Sequence, residues 1–256
     1  MNNVVEISSV IIAKNEASNI RRCIESQLDC IDEIIVLVDD ASIDETYDIA
    51  KSFSSAIVKK AEWEGYSETK QYGVSLASND WIFWIDADES ITPELSEEIK
   101  KFKSSIPAFT AYSVPRRAYF LGKWVKHSGW YPARVTRLFN KNEVKFNSNN
   151  VHEQLEVEGI TGKLEHDLEH YTDPSIHHYF EKYNNYTSLA AEELFSKGKE
   201  TSITDLLLRP AGIFIKMYVI KAGFLDGIHG FILAVFSSSY VFTKYCKLWE
   251  LNRNKK

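Results

Sequence analysis

Over its first hundred residues the chain alternates short apolar runs with amphipathic stretches. ISSVIIA at residues 7–13 and EIIVLV at 33–38 are β-branched and almost free of polar positions, which predicts strands buried on both faces. Lys14-Asn15-Glu16 follows the first run and leads into a helical pattern reaching about Leu28. Ser42 and Asp44 suit the capping of a helix over about 45–53, and Ala56-Ile57-Val58 reads as a short third strand. A helix over about 67–77 precedes Trp81-Ile82-Phe83-Trp84-Ile85, a fourth strand that runs into Asp86-Ala87-Asp88-Glu89. Thr92-Pro93 opens another helix, because proline fits a helical first turn.

This alternation predicts βαβ units with right-handed crossovers, and hence an α/β fold on a parallel sheet. In such sheets ligands bind outside the carboxyl ends of the strands. Lys14-Asn15-Glu16, Asp39-Asp40 and Asp86-Ala87-Asp88 each lie just past the end of a predicted strand. Parallel strands would open all three groups onto one crevice.

Beyond residue 110 the alternation stops. Residues 110–146 mix strand and loop signals with many aromatics and arginines, 179–198 reads as a helix, and 203–250 as strongly apolar helix. The longest uncharged run there, 227–243, contains His229 and three serines, short of the about 20 apolar residues a spanning helix needs. Residues 201–256 carry eight Lys/Arg against three Asp/Glu, a net of +5 in a chain whose total is −6. We therefore expect one domain over 1–200 and a basic, apolar helical extension over 201–256 that meets an anionic membrane surface. An extension packed on the body explains the same pattern. The acidic total gives no reason to expect a nucleic-acid partner. Cys23, Cys30 and Cys246 have no metal-ligand spacing, as in a reduced, cytoplasmic compartment. Residues 1–20 lack the pattern of a secretory signal.

Two carboxylates one residue apart at a strand end, Asp86 and Asp88, can approach one Mg²⁺ or Mn²⁺ that shares phosphate oxygens with a substrate. Alone, such a pair is better explained by an acidic loop capping the next helix; the apolar strand before it and the parallel sheet turn the balance to the metal. Asp39 or Asp40 can accept hydrogen bonds from a base or ribose, while Ser42 and Asp44 serve the turn. No glycine-rich phosphate loop is present, which argues against nicotinamide enzymes and P-loop kinases. Diphosphate charge is left to a metal and to cations such as Lys70, Arg116, Arg117, Arg134 and Arg137. Trp130 or Tyr131, in HSGWYP at 127–132, could stack on a sugar, or both could be core. His166, His170, His177 and His178 read as structural.

The order IIAKNEASNI, VDDASIDET, WEGYSETK, WIFWIDADE, PRRAYFLGKW, HSGWYP, RLF, VHE and FLDG-x-x-G resembles glycosyltransferase family 2, of GT-A fold, and more narrowly the bacterial lipopolysaccharide-core β-glucosyltransferase group. The likeness spans nearly the whole chain. It implies a Rossmann-like, mostly parallel sheet flanked by helices, and inverting transfer of a hexose, glucose in the first instance, from a UDP-sugar. The acceptor would be a lipopolysaccharide-core or lipid-linked glycan at the inner face of the cytoplasmic membrane. Asn15 and Glu16, beside Lys14, would line the nucleotide pocket, Asp39 or Asp40 would hold uracil or ribose, and Lys70 would lie near the donor phosphates. Asp88 would bind the metal, with Asp86 on ribose or a metal-bound water. Arg116, Arg117, Trp130, Tyr131 and Arg134 are the acceptor and sugar candidates. Glu153 in VHE matches the general base, with His152 orienting it, touching the diphosphate or reaching the metal; Glu89, beside the metal site, is its rival. Asp40-Ala41 and Gln71 depart from Ser-Gly and Asn, which relatives often carry there.

Two other readings use the same residues. A sugar-1-phosphate nucleotidyltransferase shares the sheet type but wants a glycine-rich loop where Ala13-Lys14-Asn15-Glu16 stands. A non-catalytic sugar-binding or scaffold protein would not need Asp86, Asp88 and Glu153 together.

Overall fold

A computed structural model describes residues 4–63, 66–146, 155–157 and 159–254. The opening apolar runs form β1 (Ile7–Ala13), β2 (Glu33–Asp39), β3 (Ala56–Ala61) and β4 (Trp81–Trp84), parallel neighbours in the order β4-β1-β2-β3. Period-two alternation sorts their side chains into two layers. Ile7, Ile11, Ile34, Val36 and Phe83 face one core, and Val10, Ile35, Leu37, Ile82 and Trp84 face the other. Burial on both faces is why the runs hold so few polar residues.

The first core is covered by α1 (Ile20–Glu25) and α2 (Thr46–Lys51), the second by α3 (Tyr66–Leu76), and α4 (Pro93–Lys103) returns to the first. Thr92 caps α4 as expected, its hydroxyl accepting the Leu95 N–H. The first helix stops at Glu25 instead of Leu28, because the Gln27 amide donates to the Cys23 carbonyl at 2.8 Å and closes the turn. Gly73 lets α3 lie close on the sheet, since a Cβ there would come within 2.5 Å of Val10 Cγ1 and 3.2 Å of Leu37 Cδ1. Gly73→Ala is expected to cost about 1–3 kcal/mol by overpacking, read as a lower denaturant midpoint. An unchanged midpoint would mean that α3 can shift freely on the sheet.

After β4 come β5 (Glu89–Ile91), β6 (Ala111–Val114), β7 (Arg116–Phe120), β8 (Lys123–Trp124), β9 (Val135–Asn140), β10 (Lys145–Phe146), β11 (Leu155–Glu156), β12 (Gly162–Lys163) and β13 (Leu168–Asp173). Among the described residues the central sheet has seven strands, ordered β12-β6-β9-β4-β1-β2-β3, with β9 antiparallel to both neighbours. The first part of β13 runs antiparallel to β5 and pairs His170 with Glu89.

Contacts divide the chain into two compact units, Met1–Arg116 with Arg134–His170, and Arg117–Ala133 with Tyr171–Lys256. The boundary expected between 200 and 201 falls inside the second unit. There α5 (Ile176–Ser196) shares a core with the C-terminal helix, Ala191 being buried with Tyr245 and Leu248. The helical stretch expected over 203–250 is interrupted. It consists of α6 (Ile203–Phe214), a π-helical turn at Ile215–Ile220, a 3₁₀ turn at Gly223–Asp226, and α7 (Ile228–Asn254). Ala222 and Gly227, with φ of 53° and 65°, make the breaks. No helix among the described residues is long and apolar enough to cross a membrane.

Candidate active site

Strand register sets the three polar groups side by side. Ala13 pairs with Val38, Asp39 with Ala61, and Val10 with Trp84, so the loops after β1, β2 and β4 leave one edge of the sheet together. Asn15 takes a left-handed conformation, φ 55°, which asparagine tolerates better than most residues. Its N–H donates to Ser42 Oγ (3.3 Å), and its Oδ1 accepts the Ile43 N–H (2.9 Å). The Glu16 N–H donates to Thr46 Oγ1 (2.7 Å) and the Ala17 N–H to Asp44 Oδ2 (3.0 Å). Ser42 and Asp44 therefore tie the β1 and β2 loops together. The N-cap position of α2 is Glu45, whose side chain makes no cap.

Asp39 and Asp40 separate clearly. The Asp39 side chain is 2% exposed, with Oδ2 2.8 Å from Lys14 Nζ and Oδ1 accepting the Ala41 N–H at 2.8 Å. Burial would raise its carboxyl, but the Lys14 ammonium and the Ala41 N–H outweigh that and hold it below the usual range. Asp40 is exposed, so it is the member of the pair open to a ligand.

Asp86 sits on a buried ion network. Trp84 Nε1 donates to its Oδ1 at 3.2 Å, and Arg137 Nη2 donates to its Oδ2. The same Nη2 lies 2.6 Å from Glu89 Oε1, which Arg116 Nη1 also reaches at 3.4 Å, and Glu89 Oε2 accepts the Asp86 N–H at 3.1 Å. Burial works against the Asp86 carboxylate, but the Arg137 and Lys70 charges prevail and hold its carboxyl well below the usual range. At Glu89 burial prevails and pushes the carboxyl up, against the pull of Arg137.

Two readings from sequence are corrected here. Arg137, 7% exposed and locked on two carboxylates, is not open to a diphosphate. Glu89 is fully buried, so it cannot reach an acceptor hydroxyl as a general base.

His170 is the residue that sequence reasoning passed over. Pairing with Glu89 carries it to the acidic loop, where its Nε2 lies 3.3 Å from Asp88 Oδ2. His166, by contrast, contacts Glu98 at 2.9 Å. Lys70 Nζ is 4.7 Å from the centroid of Trp84, the ring that holds Asp86. Arg134 donates to the carbonyls of Ser113 (3.2 Å) and Leu164 (2.9 Å), which gives it a structural task.

Three further candidates lie in the second unit. The Arg117 guanidinium is 4.9 Å from the Trp124 centroid, Tyr131 meets Trp124 edge-on at 5.4 Å, and Trp130 meets Phe120 at 6.1 Å. Trp130 belongs to the core around Phe120, Val125 and Leu233. Glu153 and His152 lie outside the described residues.

Among the described residues no group of three His, Cys, Asp or Glu converges on a metal position. Asp88 and His170 do place an oxygen and a nitrogen donor next to each other at the strand edge. That set fits a divalent cation completed by oxygens of a bound phosphate.

A family model for glycosyl transferase family 2 matches residues 8–156. The chain belongs to glycosyl transferase family 2. The matched span includes every polar group at the strand ends and stops before His170. An uncharacterized glycosyltransferase of Rickettsia prowazekii, RP128, is 32% identical to this family 2 enzyme, with 96% of this chain and 88% of the relative covered. The lipopolysaccharide core biosynthesis glycosyltransferase LpsC of Rhizobium meliloti is 28% identical, with 95% and 92% covered. The fold of the family 2 chain is also that of the mannosyltransferase PcManGT from Pyrobaculum calidifontis, solved with GDP-Man and Mn²⁺. That match has a TM-score of 0.55 at 12% identity and covers 96% and 87% of the two chains. Glycosyl transfer thus stands in place of the nucleotidyltransferase and scaffold alternatives.

Proposed function

We propose that this family 2 transferase moves a hexose, glucose in the first instance, with inversion from a UDP-sugar to a lipopolysaccharide-core or lipid-linked glycan. The observation that carries the reading is the strand edge. An open Asp40, a stapled Asn15-Glu16 loop and a locked Asp86 stand beside an Asp88–His170 pair. The LpsC likeness over most of both chains supports the acceptor class. Asp40 and the Asn15-Glu16 loop bind the nucleoside, Lys70 meets the diphosphate, and Asp86 faces the ribose. Asp88 and His170 would hold Mg²⁺ or Mn²⁺, which when bound neutralises charge on the leaving diphosphate. Glu153, with His152 beside it in sequence, takes the proton from the acceptor hydroxyl as that oxygen attacks the anomeric carbon. The attack on the opposite face inverts the centre.

A panel of UDP-sugars with Mn²⁺ or Mg²⁺, followed by linkage and anomer analysis of the product, tests this directly. A β-linked product from an α-linked UDP-hexose is expected; retention of configuration, or no turnover of any UDP-sugar, would overturn it. Glu153→Gln is expected to lower kcat by about 10²–10⁴-fold with donor affinity unchanged. If kcat stays within threefold or so of the wild type, the proton is taken elsewhere.

A further inference from the structure

In the second unit, the segment from α6 to the start of α7 turns an apolar face outward. Leu208, Ile215, Ile220, Phe224, Leu225 and Ile228 are all exposed, Ile220 to 71% and Ile228 to 63%. Large apolar side chains exposed contiguously mark an interaction surface. The carboxylates between residues 203 and 233 are Asp205 and Asp226, and both are buried, at 3% exposure each. Asp205 is held by Arg209 and Ser202; Asp226 accepts the N–H groups of Lys126 (3.2 Å) and His127 (2.9 Å). Lys216 and Lys221 are exposed. The segment thus presents apolar side chains and cations, with no outward carboxylate.

The face is also preformed. Within it Phe214 stacks on Tyr218 at 5.4 Å, and Tyr218 meets Phe231 edge-on at 5.6 Å. A Cβ on Gly230 would lie 1.9 Å from the Gly223 carbonyl oxygen, so α7 starts in direct backbone contact with the 3₁₀ turn. These aromatics, Phe224 included through its 6.3 Å contact with Tyr218, hold the segment in shape, while Ile215, Ile220, Leu225 and Ile228 remain exposed.

We infer that the tip Ile215–Ile228 docks into the interface of an anionic bilayer. Ile220, Phe224 and Leu225 enter the acyl boundary, and Lys216 and Lys221 meet lipid phosphates. A second copy of the chain is the poorer occupant on charge: like faces would oppose lysines with no carboxylate to receive them. An anionic membrane supplies hydrocarbon and negative charge together. Docking requires no spanning helix, and it stands apart from the donor chemistry proposed above.

Flotation of the full chain with phosphatidylglycerol and with phosphatidylcholine vesicles, without nucleotide sugar, tests the inference. Binding is expected to the anionic vesicles and to weaken with salt. Ile220→Asp with Leu225→Asp should reduce it by about tenfold or more, with the melting temperature kept. Lys216→Glu with Lys221→Glu, both at exposed positions, should remove the preference for anionic lipid while donor turnover in solution is unchanged. Absence of vesicle binding by the wild type overturns the inference, as does binding that survives both double variants. A dimer in sedimentation equilibrium that Ile220→Asp with Leu225→Asp dissociates would assign the face to a second copy instead. Loss of donor turnover in the wild type would bear on the catalytic proposal alone.

Discussion

Asp88→Ala is expected to reduce turnover of the nucleotide sugar by about 10³-fold or more, which is ~4 kcal/mol of transition-state stabilisation. Asp86 is the poorer ligand of the two. Each Asp86 oxygen already accepts a hydrogen bond, one from the Trp84 indole and the other from Arg137, and the Arg137 charge weakens its hold on a second cation. The Asp88 side chain is 14% exposed and meets His170 through one 3.3 Å contact, so its removal should cost only about 1 kcal/mol of stability. A large kinetic loss with a nearly unchanged melting temperature is therefore the signature. His170→Ala should lower the apparent affinity for Mn²⁺ in the same assay. Should Asp88→Ala keep turnover within tenfold or so of the wild type, the cation site is misplaced.

Arg137→Ala is expected to show the opposite balance, with the largest effect on stability. Arg137 is the cation shared by Asp86 and the fully buried Glu89. Removing one partner of a buried ion pair leaves an uncompensated charge and costs about 3–5 kcal/mol. For a chain of this size that is a fall in melting temperature on the order of 10 °C. Glu89, already pushed up by burial, would then take up a proton. The double variant Arg137→Ala with Glu89→Gln should recover part of the loss, because the stranded carboxylate is gone. Arg137→Lys should recover less than full stability, since one ammonium lacks the planar fork. A loss below about 1 kcal/mol in Arg137→Ala would mean that the network contributes little.

The exposed apolar residues of the tail and the ion network were illegible in the sequence for different reasons. Arg137 looked like one more surface cation because nothing nearby in the chain pairs with it. Its partners come from β9 inserting antiparallel beside β4: Phe83 faces Leu138, and Arg137, one residue before it, reaches Asp86 and Glu89. His170 was hidden in the same way, since only the β5–β13 register places it by Asp88. The tail is helical as expected, but composition does not say which side chains face out. The π-helical turn and the positive-φ breaks at Ala222 and Gly227 settle that.

The sequence by itself determined the strands β1, β2 and β4 and the polar groups at their ends. Strands buried on both faces must be mostly apolar, with small exceptions such as the buried Ser8 and Ser9, and the charged residues that end such a run must lie at the sheet edge. That is a local property, legible in a run of seven residues such as Ile7–Ala13. Tertiary structure decided how those polar groups are used. It neutralised Asp39 with Lys14, locked Asp86 with Arg137, buried Glu89 and brought His170 to Asp88. The physical reason is that a carboxylate's availability depends on which cations and donors surround it, and those neighbours are set by strand pairing between segments far apart in the chain.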